Sequence, residues 1–189
     1  SSSSQQTTNI TTPLPPITPP STQPQPQPEE TPAPTTPVGI VSSTASTAVF
    51  SINAVAGEQV TIDIAKLASG VAQGTGISKI SIATRSSVSN VQVSIKPVER
   101  PSSIQEPSKK VLNYIEINFG AASDAVQSAK ITFTLKKSEI SKQNVDADTI
   151  KLLRYANGQW QELQTVKGFE DIDSITFEAT SPGFSYFAI

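Results

Sequence analysis

Residues 131–135 read Ile-Thr-Phe-Thr-Leu, so that Ile131, Phe133 and Leu135 alternate strictly with two threonines. A period of two places successive side chains on opposite faces of a β-strand, and it predicts a strand with one buried face and one face in water. Four more stretches repeat the pattern, with apolar residues at positions 60, 62 and 64; 91, 93 and 95; 115, 117 and 119; and 175, 177 and 179. Strands of this one-sided kind are typical of antiparallel sheets.

Asn157-Gly158 separates two further apolar stretches, residues 150–155 and 160–163, and this dipeptide is the strongest short-range signal for a β-hairpin. Less regular strands are expected at residues 49–55, 77–84 and 184–189. Only residues 64–68 and the residues that follow Ser138 have a helical pattern, and Gly74-Thr75-Gly76 is interpreted as a loop between strands.

Roughly nine or ten short strands separated by turn residues predict an all-β fold. The expected architecture is an antiparallel β-sandwich of the immunoglobulin-like or jelly-roll-like kind, with a closed barrel as the alternative.

Proline divides the chain, because 11 of its 15 prolines fall in residues 1–40. Pro, Ser, Thr and Gln make up 30 of those 40 residues, and such a composition cannot bury enough apolar surface to form a core. We therefore expect a disordered or extended stalk at residues 1–40 and one sandwich domain at residues 41–189. The stalk either holds the domain away from a surface or docks onto a neighbouring subunit, and the sequon Asn9-Ile10-Thr11 predicts N-glycosylation of Asn9.

The residue types that are missing exclude much chemistry. The chain has no cysteine and no histidine, so it has no disulfide, no thiolate zinc site and no imidazole base, and we expect no cofactor. A net charge of −2 gives no reason to expect nucleic acid as a partner. The longest apolar run is too short for a transmembrane segment. Because the chain starts at Ser1, we expect a secreted protein whose signal peptide has been removed.

Several acidic side chains admit a functional interpretation. Asp146 with Asp148, and Glu170 with Asp171 and Asp173, supply the oxygen ligands that calcium prefers, although acids in solvated turns are the simpler interpretation.

Two other pairs of residues suggest glycan chemistry. Glu116 and Glu178 could form the carboxylate pair of a glycosidase if their strands brought them together. Tyr155 and Trp160 flank the predicted hairpin, where they form either a platform on which a sugar stacks or part of the core.

Four segments of the C-terminal third carry a resemblance to a known family. They are Ile131-Thr132-Phe133-Thr134-Leu135, the segment from Asp146 to Tyr155, the segment from Gly158 to Thr165, and the ending Ser181-Pro182-Gly183-Phe184-Ser185-Tyr186-Phe187-Ala188-Ile189. In this order they resemble the PGF-pre-PGF domain of archaeal cell-surface proteins. The similarity spans about residues 41–189 and is sharp from about residue 130 onward. The short helix of that family often carries a tryptophan where this chain has Ile140.

The resemblance implies export to an archaeal cell surface, with the domain placed just before a membrane anchor or sorting signal. It supplies no catalytic motif. The motif Pro182-Gly183 also has a physical interpretation of its own: proline fixes φ before the turn, and glycine permits a positive φ. The aromatic residues that follow are expected to form a last strand that closes the sandwich.

We therefore expect a non-enzymatic, extracellular structural or adhesion module that associates with itself or with other surface proteins and glycans. A sharper hypothesis is a filament or pilus subunit that lends residues 38–55 to its neighbour as an added strand, with Val49, Phe50 and Ile52 as the donor residues. The competing hypothesis is a carbohydrate-binding module or glycan-active domain.

Overall fold

The computed structural model describes residues 38–189, which form two antiparallel sheets and three short helices. Residues 1–37 of the predicted stalk, which include Asn9, lie outside the described residues, whereas residues 38–40 belong to the first strand. The strands are β1 (Val38–Ser43), β2 (Ala48–Ala54), β3 (Gln59–Asp63), β4 (Ile77–Thr84), β5 (Val88–Val98), β6 (Tyr114–Asn118), β7 (Val126–Lys136), β8 (Leu153–Ala156), β9 (Gln159–Glu162), β10 (Thr165–Glu170), β11 (Ser174–Ser181) and β12 (Tyr186–Ala188).

The strands build a seven-stranded sheet in the order β1-β2-β5-β6-β12-β8-β9 and a five-stranded sheet in the order β10-β11-β7-β4-β3. The two sheets pack face to face, which confirms the predicted antiparallel β-sandwich over the closed barrel. The helices are α1 (Ile64–Leu67), α2 (Ser69–Thr75) and α3 (Lys137–Lys142). None of the helices in residues 38–189 is long and apolar enough to cross a membrane.

The core consists of the inward-facing residues of both sheets, and the alternating stretches supply most of it. Phe133 of β7 and Phe177 of β11 are paired across the five-stranded sheet, and their rings stack with centroids 5.1 Å apart. Phe50 of β2 and Phe187 of β12 are fully buried on the opposite sheet. Because the chain has no disulfide, this apolar packing is the main source of stability among the described residues.

The predicted hairpin is present, and its turn has the expected geometry. Asn157 and Gly158 both have positive φ, at 53° and 79°, as a type I′ turn requires. The turn connects β8 to β9, whose registered pairs include Tyr155 with Trp160.

The prediction of a loop at Gly74-Thr75-Gly76 is wrong, because these residues end α2. The sequence of this helix has a low helix propensity, but Val71 is fully buried against the core. Within the helix, the buried Thr75 hydroxyl donates to the Val71 carbonyl at 2.7 Å. Gly76 has a φ of 81° and caps the helix in the left-handed conformation that glycine favours.

Gly183 does not use the positive φ that glycine permits, since it is not among the residues with positive φ. A Cβ at this position would lie 3.2 Å from Nη2 of Arg154, so a larger residue requires a small shift of the Arg154 side chain.

The prediction that the last strand closes the sandwich is confirmed. β12 lies inside the seven-stranded sheet, where it pairs with β6 on one side and with β8 on the other. The final strand therefore joins the β8–β9 hairpin to the rest of the sheet.

Two edge strands were not predicted. β10 was missed because a bulge between Lys167 and Glu170 and the residue Gly168 break its alternation. β1 was missed because residues 38–40 were counted with the proline-rich segment, whereas in the structure they pair with β2.

Candidate functional site

The three tyrosines and the single tryptophan of the chain all lie on the outer face of the seven-stranded sheet. Tyr155 of β8 pairs with Trp160 of β9, and their ring centroids are 5.3 Å apart in an edge-to-face arrangement. The ring of Tyr114 in β6 lies 6.0 Å from that of Trp160. Tyr186 in β12 lies opposite Glu116 of β6. We call Tyr114, Tyr155, Trp160 and Tyr186 the aromatic patch.

Strand alternation explains why these rings face outward. Ile115 and Ile117 of β6 are buried in the core, so Tyr114 and Glu116 point to the other side of the sheet. The alternative that places Trp160 in the core is therefore wrong, since Trp160 is half-buried and outside the buried cluster.

Residues 99–113, which connect β5 to β6, lie against the aromatic patch. Trp160 donates its Nε1–H to the Gln105 carbonyl at 2.6 Å, and Lys109 Nζ lies 2.7 Å from a Glu162 carboxylate oxygen. Partial burial raises the pKa of Tyr114, and the nearby Glu106 carboxylate adds to the effect. The hydrogen bond from Lys109 lowers the pKa of Glu162. The indole N–H of Trp160 is thus already used within the chain.

One end of the aromatic patch adjoins an ion pair. Lys96 Nζ lies 2.9 Å from Glu116, and the hydrogen bond to that carboxylate raises the pKa of Lys96. Together with Tyr186, these groups form a mixed aromatic and charged surface. Aromatic rings with hydrogen-bonding groups beside them can contact sugars and other ligands that have both apolar and polar surfaces.

The predicted pair Glu116 and Glu178 is not brought together. Glu116 lies on the outer face of the seven-stranded sheet, and Glu178 lies on the outer face of the five-stranded sheet, where it pairs with Lys130 at 3.0 Å. Packed sheets are about 10 Å apart, and both carboxylates point away from the core between them. The two residues therefore cannot flank one glycosidic bond.

The first acidic cluster stabilises a turn. The Asp146 carboxylate accepts the backbone N–H of Asp148 at 3.0 Å, at the start of a short 3-10 turn over Ala147–Thr149. The Asp148 carboxylate lies 3.4 Å from Lys167 Nζ.

The carboxylates of Glu170 and Asp171 in the second acidic cluster also have partners within the chain. Glu170 lies 2.8 Å from Lys137 and 3.0 Å from Lys167, and hydrogen bonds from both lysines lower its pKa. The Asp171 carboxylate accepts backbone N–H groups from Asp173 and Ser174, which lowers its pKa. Within residues 38–189, no three acidic side chains converge as metal ligands. Asp146 and Asp171 thus accept hydrogen bonds within turns, and Asp148 and Glu170 form ion pairs.

The proposed donor residues lie in a strand that is paired on both sides within the chain's own sheet. Val49, Phe50 and Ile52 belong to β2, which pairs with β1 on one side and with β5 on the other. Phe50 and Ile52 are fully buried. Donation of this strand to a neighbour would require both ladders to open, so the accessible edge at this rim of the sandwich is that of β1.

β1 is an exposed edge strand. Residues 39–43 are all exposed, and Ile40 and Val41 keep 46% and 54% of their surface in contact with water. A bulge between Ile40 and Ser42 interrupts the pairing with β2. No charged residue occurs anywhere between Glu30 and Glu58. In the sequence, the feature that indicates this edge strand is a group of apolar residues directly after Pro37, namely Val38, Ile40 and Val41.

The other rim ends in β10, which also exposes apolar side chains. Val166 and Phe169 are 59% and 73% exposed, and Ile172 projects from the following turn. This edge differs from β1 because it carries Lys167 and Glu170, which form an ion pair with each other.

A cleft of about 820 Å³ lies between α2 and the start of α3. Its lining mixes small, polar and charged residues, including Gln73, Asn113, Ser138 and Asp173.

Comparison with known proteins adds no functional information. No family model matches the chain, and no curated protein or solved structure matches it either.

Proposed function

We propose that this chain is a non-enzymatic structural or adhesion module of an archaeal cell surface. The observation that carries the proposal is the junction at Val38. A segment rich in proline, serine, threonine and glutamine there runs directly into β1, an exposed edge strand at one rim of the sandwich. Such an arrangement suits a domain that a spacer presents to partners. The resemblance to the PGF-pre-PGF domain supports both the archaeal source and the extracellular location.

Surface presentation can be tested on intact cells of the source organism with an amine-reactive biotin reagent that does not cross membranes. Lys66, Lys79 and Lys142 are exposed, so the chain should be labelled before the cells are opened. An abundant cytoplasmic protein in the same sample serves as the control and should be labelled only after lysis. Labelling of this chain only after lysis would contradict the proposal.

The second candidate function is carbohydrate binding. It is favoured by the aromatic patch, because Tyr155 and Trp160 lie side by side on an outer face and remain partly accessible to solvent. A sugar that stacks on such rings needs exposed ring area with hydrogen-bonding groups beside it.

Glycan-array binding of the full chain tests this function. We expect Tyr155→Ala to weaken glycan binding by at least about tenfold, the equivalent of about 1.4 kcal/mol, because it removes a stacking ring without removing the Trp160–Gln105 hydrogen bond. Phe169→Ala, which truncates an exposed ring on the edge strand β10 of the other sheet, is the matched control and should bind as the unchanged chain does. Absence of any glycan bound by the unchanged chain would exclude the function.

A further inference from the structure

We infer that β1 pairs in antiparallel fashion with β1 of a second copy of this chain, and that the two copies form a closed dimer with two-fold symmetry. The inference names a partner for the proposed structural module and rests on that proposed function for its biological meaning.

The free edge of β1 is the first observation. β1 is the outermost strand of the seven-stranded sheet, and only its β2 side is paired among the described residues. The other side presents backbone N–H and C=O groups that a further strand can bind.

The absence of protective charge is the second observation. Edge strands of soluble proteins commonly carry charged side chains that prevent pairing between molecules. The other three edge strands follow this rule, because β3 contains Asp63, β9 contains Glu162 and β10 contains Lys167 and Glu170. β1 reads Val-Gly-Ile-Val-Ser-Ser and has neither a charge nor a proline, and its bulge at Val41 is the one protective device it retains.

The position of Ile40 is the third observation. Ile40 pairs with the buried Phe50, so its side chain lies on the core side of the sheet, yet 46% of its surface remains exposed at the open rim. An added strand would cover this side chain and extend the core past β1. Burial of apolar surface favours that pairing by roughly 25 cal/mol per Å².

Charge and symmetry identify the second strand as another β1. A two-fold axis perpendicular to the sheet keeps the two faces of the strands aligned, so Ile40 of one copy would lie among Ile40 and Val38 of its partner. The uncharged segment between Glu30 and Glu58 brings no like charges together in this arrangement. Pairing of β1 with β10 of another copy would instead set the charged residues Lys167 and Glu170 beside an uncharged edge.

Isologous pairing has a consequence for assembly. It uses the same edge in both copies, so it closes at two copies and does not by itself propagate a filament. Because the paired strands are antiparallel, the two Val38 residues, where residues 1–37 join the sandwich, would lie toward opposite ends of the seam between the copies. An edge of six residues forms a small interface, so the dimer should be weak and should appear at high protein concentration.

Analytical ultracentrifugation of the full chain over a concentration series tests the inference. We expect a species of twice the 20.0 kDa monomer mass that increases with concentration and does not grow further. Ile40→Lys should raise the dissociation constant at least about tenfold, because it places a charge against its own symmetry mate. Val166→Lys replaces an apolar side chain that is 59% exposed on the edge strand β10, and as the matched control it should leave the dimer unchanged. A thermal melt of each variant shows that the sandwich is folded.

Disulfide trapping locates the interface. The chain has no cysteine, so single replacements of residues 39–42 by cysteine each introduce the only thiol. Opposed residues on paired antiparallel strands have Cα atoms about 4.5–5.5 Å apart, which a disulfide can bridge. At least one of these variants should cross-link much faster than Val166→Cys.

Three outcomes would overturn the inference: a wild-type chain that stays monomeric at all concentrations, growth beyond the dimer, or cross-linking at residue 166 as fast as at residues 39–42. All these measurements are made without cells. A failed dimer test therefore leaves the surface labelling to judge the proposed function independently.

Discussion

Deletion of residues 184–189 is expected to abolish the cooperative unfolding of the sandwich. Phe187, Ala188 and Ile189 are buried, and β12 is the strand that joins β6 to the β8–β9 hairpin. Without it the hairpin loses its partner in the sheet. Burial of a Phe or Ile side chain contributes about 1.5–3 kcal/mol. The loss of two such side chains and of the strand pairing is comparable to the whole stability of a domain, about 5–15 kcal/mol.

Backbone hydrogen bonds add to this effect. The Ile189 carbonyl accepts from Leu112 N at 2.6 Å, and Ile189 N donates to the Asn113 carbonyl at 3.0 Å. Circular dichroism during a thermal scan measures the outcome. Tyr186→Phe changes the same strand on its outer face without removing a ring, and it should retain a sharp transition. An unchanged transition in the truncated chain would show that β12 is dispensable.

The interior of the fold follows from alternation that can be read in the sequence. The apolar residues of β7 that face the core are Ile131, Phe133 and Leu135. The apolar residues of β11 alternate in the same way, so that Ile175 and Phe177 also face the core. The pattern is reliable because a shift of one residue would turn every apolar side chain of a strand to water. The Asn157-Gly158 turn was equally predictable, since few residues accept a positive φ at both positions.

The edges and the helix α2 could not be predicted in this way. Edge strands bury little apolar surface, so β1 and β10 lack a periodic apolar pattern. A β-bulge in each strand further interrupts the alternation of side chains. α2 contains Gly70, which lies against the backbone of Ala45, with a Cβ position only 3.3 Å from the Ala45 carbonyl oxygen. This contact joins residues far apart in the sequence, and no local pattern reveals it.

The residues of the candidate sites could likewise be predicted where local sequence sets their positions, and not where the positions depend on contacts between distant strands. Tyr155 and Trp160 were found because one hairpin turn sets their pairing. Tyr114 and Tyr186 were missed because their positions beside them depend on the order of strands in the sheet. Glu116 and Glu178 alternate equally well with apolar residues, but only the division into two sheets shows that they lie on opposite outer faces.

Phe133→Ala is expected to lower the free energy of unfolding by about 4 kcal/mol, within the range for a fully buried phenylalanine. Phe133 has none of its surface exposed, and it stacks on Phe177 with an angle of 15° between the ring planes. Truncation leaves a cavity in the core next to β7, the central strand of the five-stranded sheet. The paired strands around it cannot easily move to fill this cavity. Urea denaturation monitored by tryptophan fluorescence measures the change, because Trp160 lies outside this cavity and is unaltered.

Phe169→Ala makes the same chemical change at a side chain that is 73% exposed, so it should alter the free energy of unfolding by less than about 0.5 kcal/mol. The comparison isolates burial, since both variants lose the same atoms from strands of one sheet. Equal effects of the two substitutions would mean that Phe169 is covered in solution or that Phe133 is not part of a packed core. A small effect at both positions would contradict the sandwich packing itself, because the stacked pair Phe133–Phe177 lies where the core is most completely buried.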